Sequence, residues 1–136
     1  MIIKDVMSRD VTVIGPEQTL REAAHLMQKM DIGSLPVGEG DRLIGMLTDR
    51  DIVVRAVAEG RGADTPVREA MSGAIKYCRE DDDLDDVAAN MASLQIRRLP
   101  VVDHDKRLVG IVSLSNMTHS EDDVCEVVAR GVARPH

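Results

Sequence analysis

The chain contains no phenylalanine and no tryptophan, and Tyr77 is its only tyrosine. Recognition of nucleobases by a row of stacking aromatic rings is therefore excluded, and any core has to be aliphatic. A basic excess is also missing. With 24 acidic and 17 basic residues the net charge is -7, the wrong sign for gripping a phosphate backbone, so nucleic acid is not expected as a partner. No stretch approaches the ~20 apolar residues that cross a bilayer, and residues 1–8 lack the apolar stretch of a secretion signal. The expectation is a cytoplasmic protein away from membranes. Cysteine is scarce: Cys78 and Cys125 stand in neither metal-ligand nor redox spacing, and read as reduced structural thiols. His25, His104, His119 and His136 are scattered over different elements, which argues against a zinc set.

What is present is ordinary globular material, 43% hydrophobic and 30% charged over 136 residues, enough for one compact domain. Its organising feature is an internal repeat. Sliding the chain by 64 residues lays Val6-Met7-Ser8 on Ala70-Met71-Ser72, Met27 on Met91, Ile32 on Ile96, and Leu35-Pro36-Val37 on Leu99-Pro100-Val101. After a one-residue insertion, Leu43-Ile44-Gly45-Met46-Leu47-Thr48 falls on Leu108-Val109-Gly110-Ile111-Val112-Ser113. The first repeat takes residues 1–63, the second 64–119, and 120–136 form a helical tail. Neither half alone buries much surface, so the two are expected to pack as one unit.

Within each half the periodicity reads strand, helix, strand, strand, helix. In the first, residues 11–14 form a short β-branched strand. A helix then opens at Thr19, with Glu22 completing a capping box and Leu20, Ala23, Ala24, Met27 and Met30 forming the apolar stripe. Strands follow at 34–37 and 43–47, then a helix at about 49–58 that stops at Gly60. Residues 60–66 are the linker. The second half repeats this with a strand at 75–78, a helix at 84–94, and strands at 99–102 and 108–112. Met7, Met27, Met30, Met71 and Met91 are read as core fillers. The acidic run 80–86 matches no calcium loop, whose sixth and twelfth positions would be Gly and Glu rather than Asp86 and Ala92; acid at a helix start explains it. In the tail, Val124, Val127 and Val128 share a face that covers its own repeat or joins a dimer contact.

Two elements carry a family resemblance. Leu-Pro-Val, a charged turn and Gly-Met-Leu-Thr-Asp-Arg-Asp in the first half, with Gly-Ile-Val-Ser-Leu-Ser-Asn in the second, resemble the cystathionine β-synthase (CBS) domain over residues 2–119. Short stand-alone bacterial tandem-CBS proteins are the most similar type. The resemblance implies an α/β (α+β) fold of two βαββα repeats related by a pseudo-twofold, called a CBS pair or Bateman module. It also implies clefts for adenosyl ligands such as AMP, ADP or ATP, and association into a homodimer. In the family each cleft takes its Gly-x-x-Thr/Ser-x-x-Asp segment from one repeat and its first strand and x-x-Leu-Pro segment from the other.

Carried over residue by residue, the stronger cleft takes Gly45, Met46, Thr48 and Asp51, with Ile75, Lys76, Tyr77, Ile96, Arg97, Arg98 and Pro100. A carboxylate such as Asp51 accepts ribose hydroxyls, a Thr hydroxyl and helix-start N–H groups favour phosphate, and Arg97 or Arg98 offers a guanidinium. The other cleft takes Gly110, Ile111, Ser113 and Asn116, with Thr12, Val13, Ile32, Gly33, Ser34 and Pro36. There Asn116 replaces the ribose-binding Asp and Gly33-Ser34 replaces the Arg pair, so weaker or absent binding is expected.

Plainer readings stand beside these. Thr48 and Asp51 also fit a helix capping box, and Arg97 and Arg98 also fit solvated strand ends. Three functional classes follow: a non-catalytic regulatory module that binds an adenine nucleotide and acts on an unidentified protein, an interaction module with vestigial clefts, or an enzyme. The last is disfavoured, because no nucleophile set is suggested by spacing and the chain is shorter than the ~250-residue barrel that accompanies CBS pairs in inosine monophosphate dehydrogenase. No cofactor or metal is required.

Overall fold

The computed structural model describes residues 1–73 and 75–113. Asn116, Cys125, His119, His136 and the 120–136 tail therefore lie outside the described residues. Helix α1 spans Leu20–Met30. Strands β1 and β2, Ser34–Glu39 and Arg42–Thr48, form an antiparallel hairpin. A single α turn, α2, at Asp49–Asp51 continues as a π-helix over Ile52–Val57. The second half has β3 at Cys78–Arg79, α3 at Leu84–Leu94, β4 at Arg98–Val102 and β5 at Leu108–Ser113. A 3-10 turn lies near the start of each half, at Ile3–Asp5 and Val67–Glu69.

Local chemistry accounts for these elements. Thr19 Oγ1 accepts the Glu22 N–H at 3.2 Å and opens α1, which buries Leu20, Ala23 and Met27. Asp83 does the same for α3 by accepting the N–H groups of Asp85 and Asp86, and acids in that first turn suit the helix dipole. The acidic run is thus largely a helix start. Both hairpins carry an irregularity at matching places, Val37/Gly38 and Val101/Val102, so the repeat extends to the bulge.

Several expectations are corrected. The strand expected at 11–14 is a single parallel bridge, Ile14 to Val37, and the one expected at 75–78 begins only at Cys78, opposite Val101. Pro36 and Pro100 sit one residue earlier on the facing strands, and a proline has no N–H to extend the ladder. The helix expected at 49–58 is α for one turn and π thereafter. Ala24 is exposed and Met30 is 49% exposed at the end of α1, so neither belongs to the core, whereas Met7, Met27 and Met91 do.

The compact units cut across the repeat boundaries. One comprises Thr12–Ile75; the other joins Met1–Val11 to the described residues from Lys76 onward. The first has its own core of Ile14, Leu20, Met27, Leu35, Val37, Leu47 and Val67. The second is centred on Ile3, Met7, Leu84, Val87, Met91, Leu99 and Val112. In each, a leading segment that precedes a helix in sequence is sewn to a hairpin. Ser72 and Met46 exchange backbone hydrogen bonds at 2.9 and 3.0 Å in one unit, as do Ser8 and Ile111, both at 2.8 Å, in the other.

Those exchanges explain two glycines. A Cβ on Gly45 would lie 2.8 Å from Met71 Sδ and 3.0 Å from the Ser72 carbonyl oxygen; on Gly110 it would lie 2.7 Å from Met7 Sδ and 2.8 Å from the Ser8 oxygen. Only a residue without a side chain lets the backbones meet.

Candidate functional site

In the unit of residues 12–75, β2 ends on Thr48 and the chain turns directly into α2. Thr48 Oγ1 accepts the Asp51 N–H at 3.0 Å, and Asp51 Oδ2 accepts the Thr48 N–H at 2.9 Å. The capping box is therefore complete. It uses one carboxylate oxygen; the other, Oδ1, stands 3.7 Å from Arg55 Nε. A carboxylate has about four lone-pair sites, so capping leaves acceptor capacity for a ribose. Gly45 is buried and Met46 half-buried beside them, and the leading segment through Ser72 runs alongside to a half-buried Ile75.

The same unit holds the repeat-one residues of the second set. Pro36 is buried, Thr12, Ile32 and Ser34 are half-buried, and Val13 and Gly33 are exposed. Ser34 faces Thr48 across the ladder. A Cβ on Gly33 would lie 3.0 Å from Asp49 Oδ2. A carboxylate thus sits where the expected pattern has a basic pair, which disfavours phosphate there.

In the other unit, Ile96 is half-buried, Pro100 is buried, and Arg97 and Lys76 are exposed. Arg98 opens β4 and is half-buried; its Nε is buried without a hydrogen-bond partner among the described residues. Such a donor costs about 1 to 3 kcal/mol until an acceptor arrives. Ser113 is the cross-strand neighbour of Arg98, a pairing invisible to a search for basic residues adjacent in sequence. Gly110 and Ile111 are buried in β5. Tyr77 carries the Lys106 ammonium 5.6 Å from its ring centroid and borders a cavity of about 300 Å³ lined also by Cys78, Asp82, Asp86 and Asn90. Burial, and secondarily the Asp82 charge, push the Cys78 thiol up to about 12, as suits a core residue rather than a nucleophile. No group of three or more His, Cys, Asp or Glu among the described residues is arranged to hold a metal. No helix among them is long and apolar enough to cross a membrane.

Both repeats match the family model of the CBS domain, over residues 3–57 and 67–122. The chain belongs to the CBS domain family. Among relatives, the CBS domain-containing protein YhcV of Bacillus subtilis is 46% identical over 115 residues, which are 85% of this chain and 81% of YhcV. Hypoxic response protein 1 of Mycobacterium tuberculosis is 41% identical over 112 residues, 81% of this chain and 78% of its own. Among the many similar solved structures are three that bear on the site. Hypoxic Response Protein I, with two coordinated zinc ions, superposes with a TM-score of 0.78 at 37% identity over 89% of this chain and 99% of its own. CBSX2 in complex with AMP gives 0.77 at 25% identity, covering 88% and 94%. The CBS domain pair of MJ0100, in complex with 5'-methylthioadenosine and S-adenosyl-L-methionine, gives 0.72 at 29%, covering 88% and 94%. The two CBS repeats of this chain thus have the mixed helix and sheet build of a CBS pair.

Residue-by-residue reading of the CBS pattern named Thr48 and Asp51 but missed Arg55 and the Met71–Ser72 segment. The coincidence of Met7-Ser8 with Met71-Ser72 was the available signal.

Proposed function

We propose that this CBS pair is a non-catalytic regulatory module that binds an adenine nucleotide through Gly45, Met46, Thr48 and Asp51 together with Ile75, Lys76, Tyr77, Ile96, Arg97, Arg98 and Pro100. The observation that carries the reading is the buried Arg98 Nε, a charge-bearing donor with no acceptor among the described residues. A ligand phosphate supplies the acceptor, and charge-assisted hydrogen bonds are the strong ones. Asp51 Oδ1 retains capacity for ribose hydroxyls. The CBS pairs of known structure that hold AMP or S-adenosyl-L-methionine support the ligand class. In this reading the set containing Asn116 binds weakly, in keeping with the Asp49 carboxylate beside Gly33. The module works in the cytoplasm as a homodimer, and occupancy alters its contacts with a regulated protein.

Calorimetric titration of AMP and ATP tests this. Removing Asp51 deletes a charged acceptor worth about 1.5 to 3 kcal/mol, so Asp51→Ala weakens binding roughly tenfold to hundredfold, while Asn116→Ala changes it less than threefold. Circular dichroism first establishes that both variants fold, because Asp51 also caps its helix. Equal losses would make the two sets equivalent.

One observation favours a second reading, an interaction module with vestigial sites: the Thr48 and Asp51 capping box is complete without a ligand. A thermal-shift panel of AMP, ADP, ATP, NAD and S-adenosylmethionine separates the two, since a ligand of the native state raises its melting temperature. No shift with any of them selects the second reading.

A further inference from the structure

Arg55 lies on the π-helix, one turn beyond Asp51, and reaches in two directions. Its Nε stands 3.7 Å from Asp51 Oδ1, the carboxylate oxygen not used by the capping box. Its Nη1 donates to the Met71 carbonyl oxygen at 3.2 Å. Met71 is followed by Ser72, which exchanges both backbone hydrogen bonds with Met46, and three residues later the chain reaches Ile75. One guanidinium therefore spans two parts of the proposed site that are remote in sequence, the Thr48–Asp51 turn and the segment leading to Ile75. The widened π-helix, a form often found at functional places, supplies the position from which it does so. A planar fork makes two directed contacts at once, which an ammonium on a flexible stem does not.

We propose that Arg55 is a positioning residue for adenine-nucleotide binding, holding the segment that leads into Ile75 in register with the Asp51 turn. The role rests on the nucleotide reading above, but the tie itself exists in the free protein. Asp51 is half-buried and would carry an uncompensated charge toward incoming phosphates if Arg55 were removed, and the Met46–Ser72 exchange would lose its outer anchor. Because the Arg55 side chain is 51% exposed, water screens both contacts, and the effect on affinity belongs at the lower end for charge-assisted hydrogen bonds.

The experiment compares the unaltered protein with Arg55→Gln and Arg55→Lys by calorimetric titration of AMP, and by residue-resolved amide exchange without nucleotide. Arg55→Gln is expected to weaken AMP binding about threefold to tenfold. It should also speed exchange at Met46 and Ser72 while leaving Leu35 and Leu47, paired with each other and fully buried, unchanged. Arg55→Lys keeps the charge that faces Asp51 but loses the fork, so it is expected to match Arg55→Gln in amide exchange and to restore AMP affinity only in part. Full rescue by lysine would overturn the two-point tie in favour of a simple charge effect. Unchanged exchange and affinity in Arg55→Gln would overturn the role altogether. Absence of AMP binding by the unaltered protein would show, before any variant is compared, that the nucleotide reading had failed, and the role proposed here with it.

Discussion

Cys78 shows how a single residue acquires its character from its surroundings. It is 4% exposed in the core with Ile3, Leu84 and Val101, and its thiol titrates at about 12 rather than the ordinary 9.0, first through burial and then through the Asp82 charge. The folded state holds this proton more tightly than the unfolded chain. Its contribution to stability is therefore complete below pH 9 and declines as pH rises from about 9 toward 12, because there the unfolded chain releases a proton that the native state keeps. Peptide-resolved mass spectrometry after iodoacetamide at pH 8 should find Cys78 unmodified in the native protein and fully modified in denaturant. Rapid native modification would contradict its burial. Arg98 is the opposite case, a polar group whose buried Nε has no hydrogen-bond partner among the described residues.

At the level of elements, the construction principle is a leading segment clamped on a hairpin at a glycine. Gly45 receives Met71 and Ser72, and Gly110 receives Met7 and Ser8. Gly45→Ala and Gly110→Ala should each destabilise the fold by about 1 to 3 kcal/mol, the usual cost of forcing an extra carbon into close packing. The obstacle in each includes a backbone carbonyl oxygen, which cannot rotate away as a side-chain end does. Urea denaturation gives the measurement. If alanine were neutral at both positions, backbone proximity would not be what these glycines provide. Gly45→Ala should in addition weaken nucleotide binding, through the displaced Met46, whereas a purely global loss of stability would leave the affinity of the folded fraction untouched.

For the whole molecule, the relevant surface is on the π-helix, where Val53, Val54 and Val57 are 58%, 46% and 64% exposed. Three exposed valines on one turn among the described residues, in a chain of net charge -7, are the kind of apolar patch that association covers, and a closed twofold pair is the commonest solution. Sedimentation equilibrium at micromolar concentration should give about twice the 14.9 kDa of one chain. Val53→Glu with Val57→Glu should shift the mass toward one chain without unfolding it, because neither side chain is buried. A wild-type mass of a single chain would remove the homodimer from the proposal.

The sequence by itself determined the repeat, the type of most elements and the family, because helix and strand periodicity, caps and turns are short-range properties. Helix α3 was legible to its ends, Leu84–Leu94, and so was the Thr48–Asp51 turn, since both are decided within four residues. Only the tertiary structure decided which segments share a core. Met1–Val11 joins the second repeat rather than the first, through hydrogen bonds such as Ser8 to Ile111 that span more than a hundred positions and leave no periodic mark. The same holds at the candidate site. Arg55 meets Met71 sixteen residues away, and Arg98 meets Ser113 only once β4 and β5 are in register. Spacing along a chain specifies neighbours on one helix face or one strand; neighbours across a ladder or a linker depend on packing, and packing is settled by the whole fold.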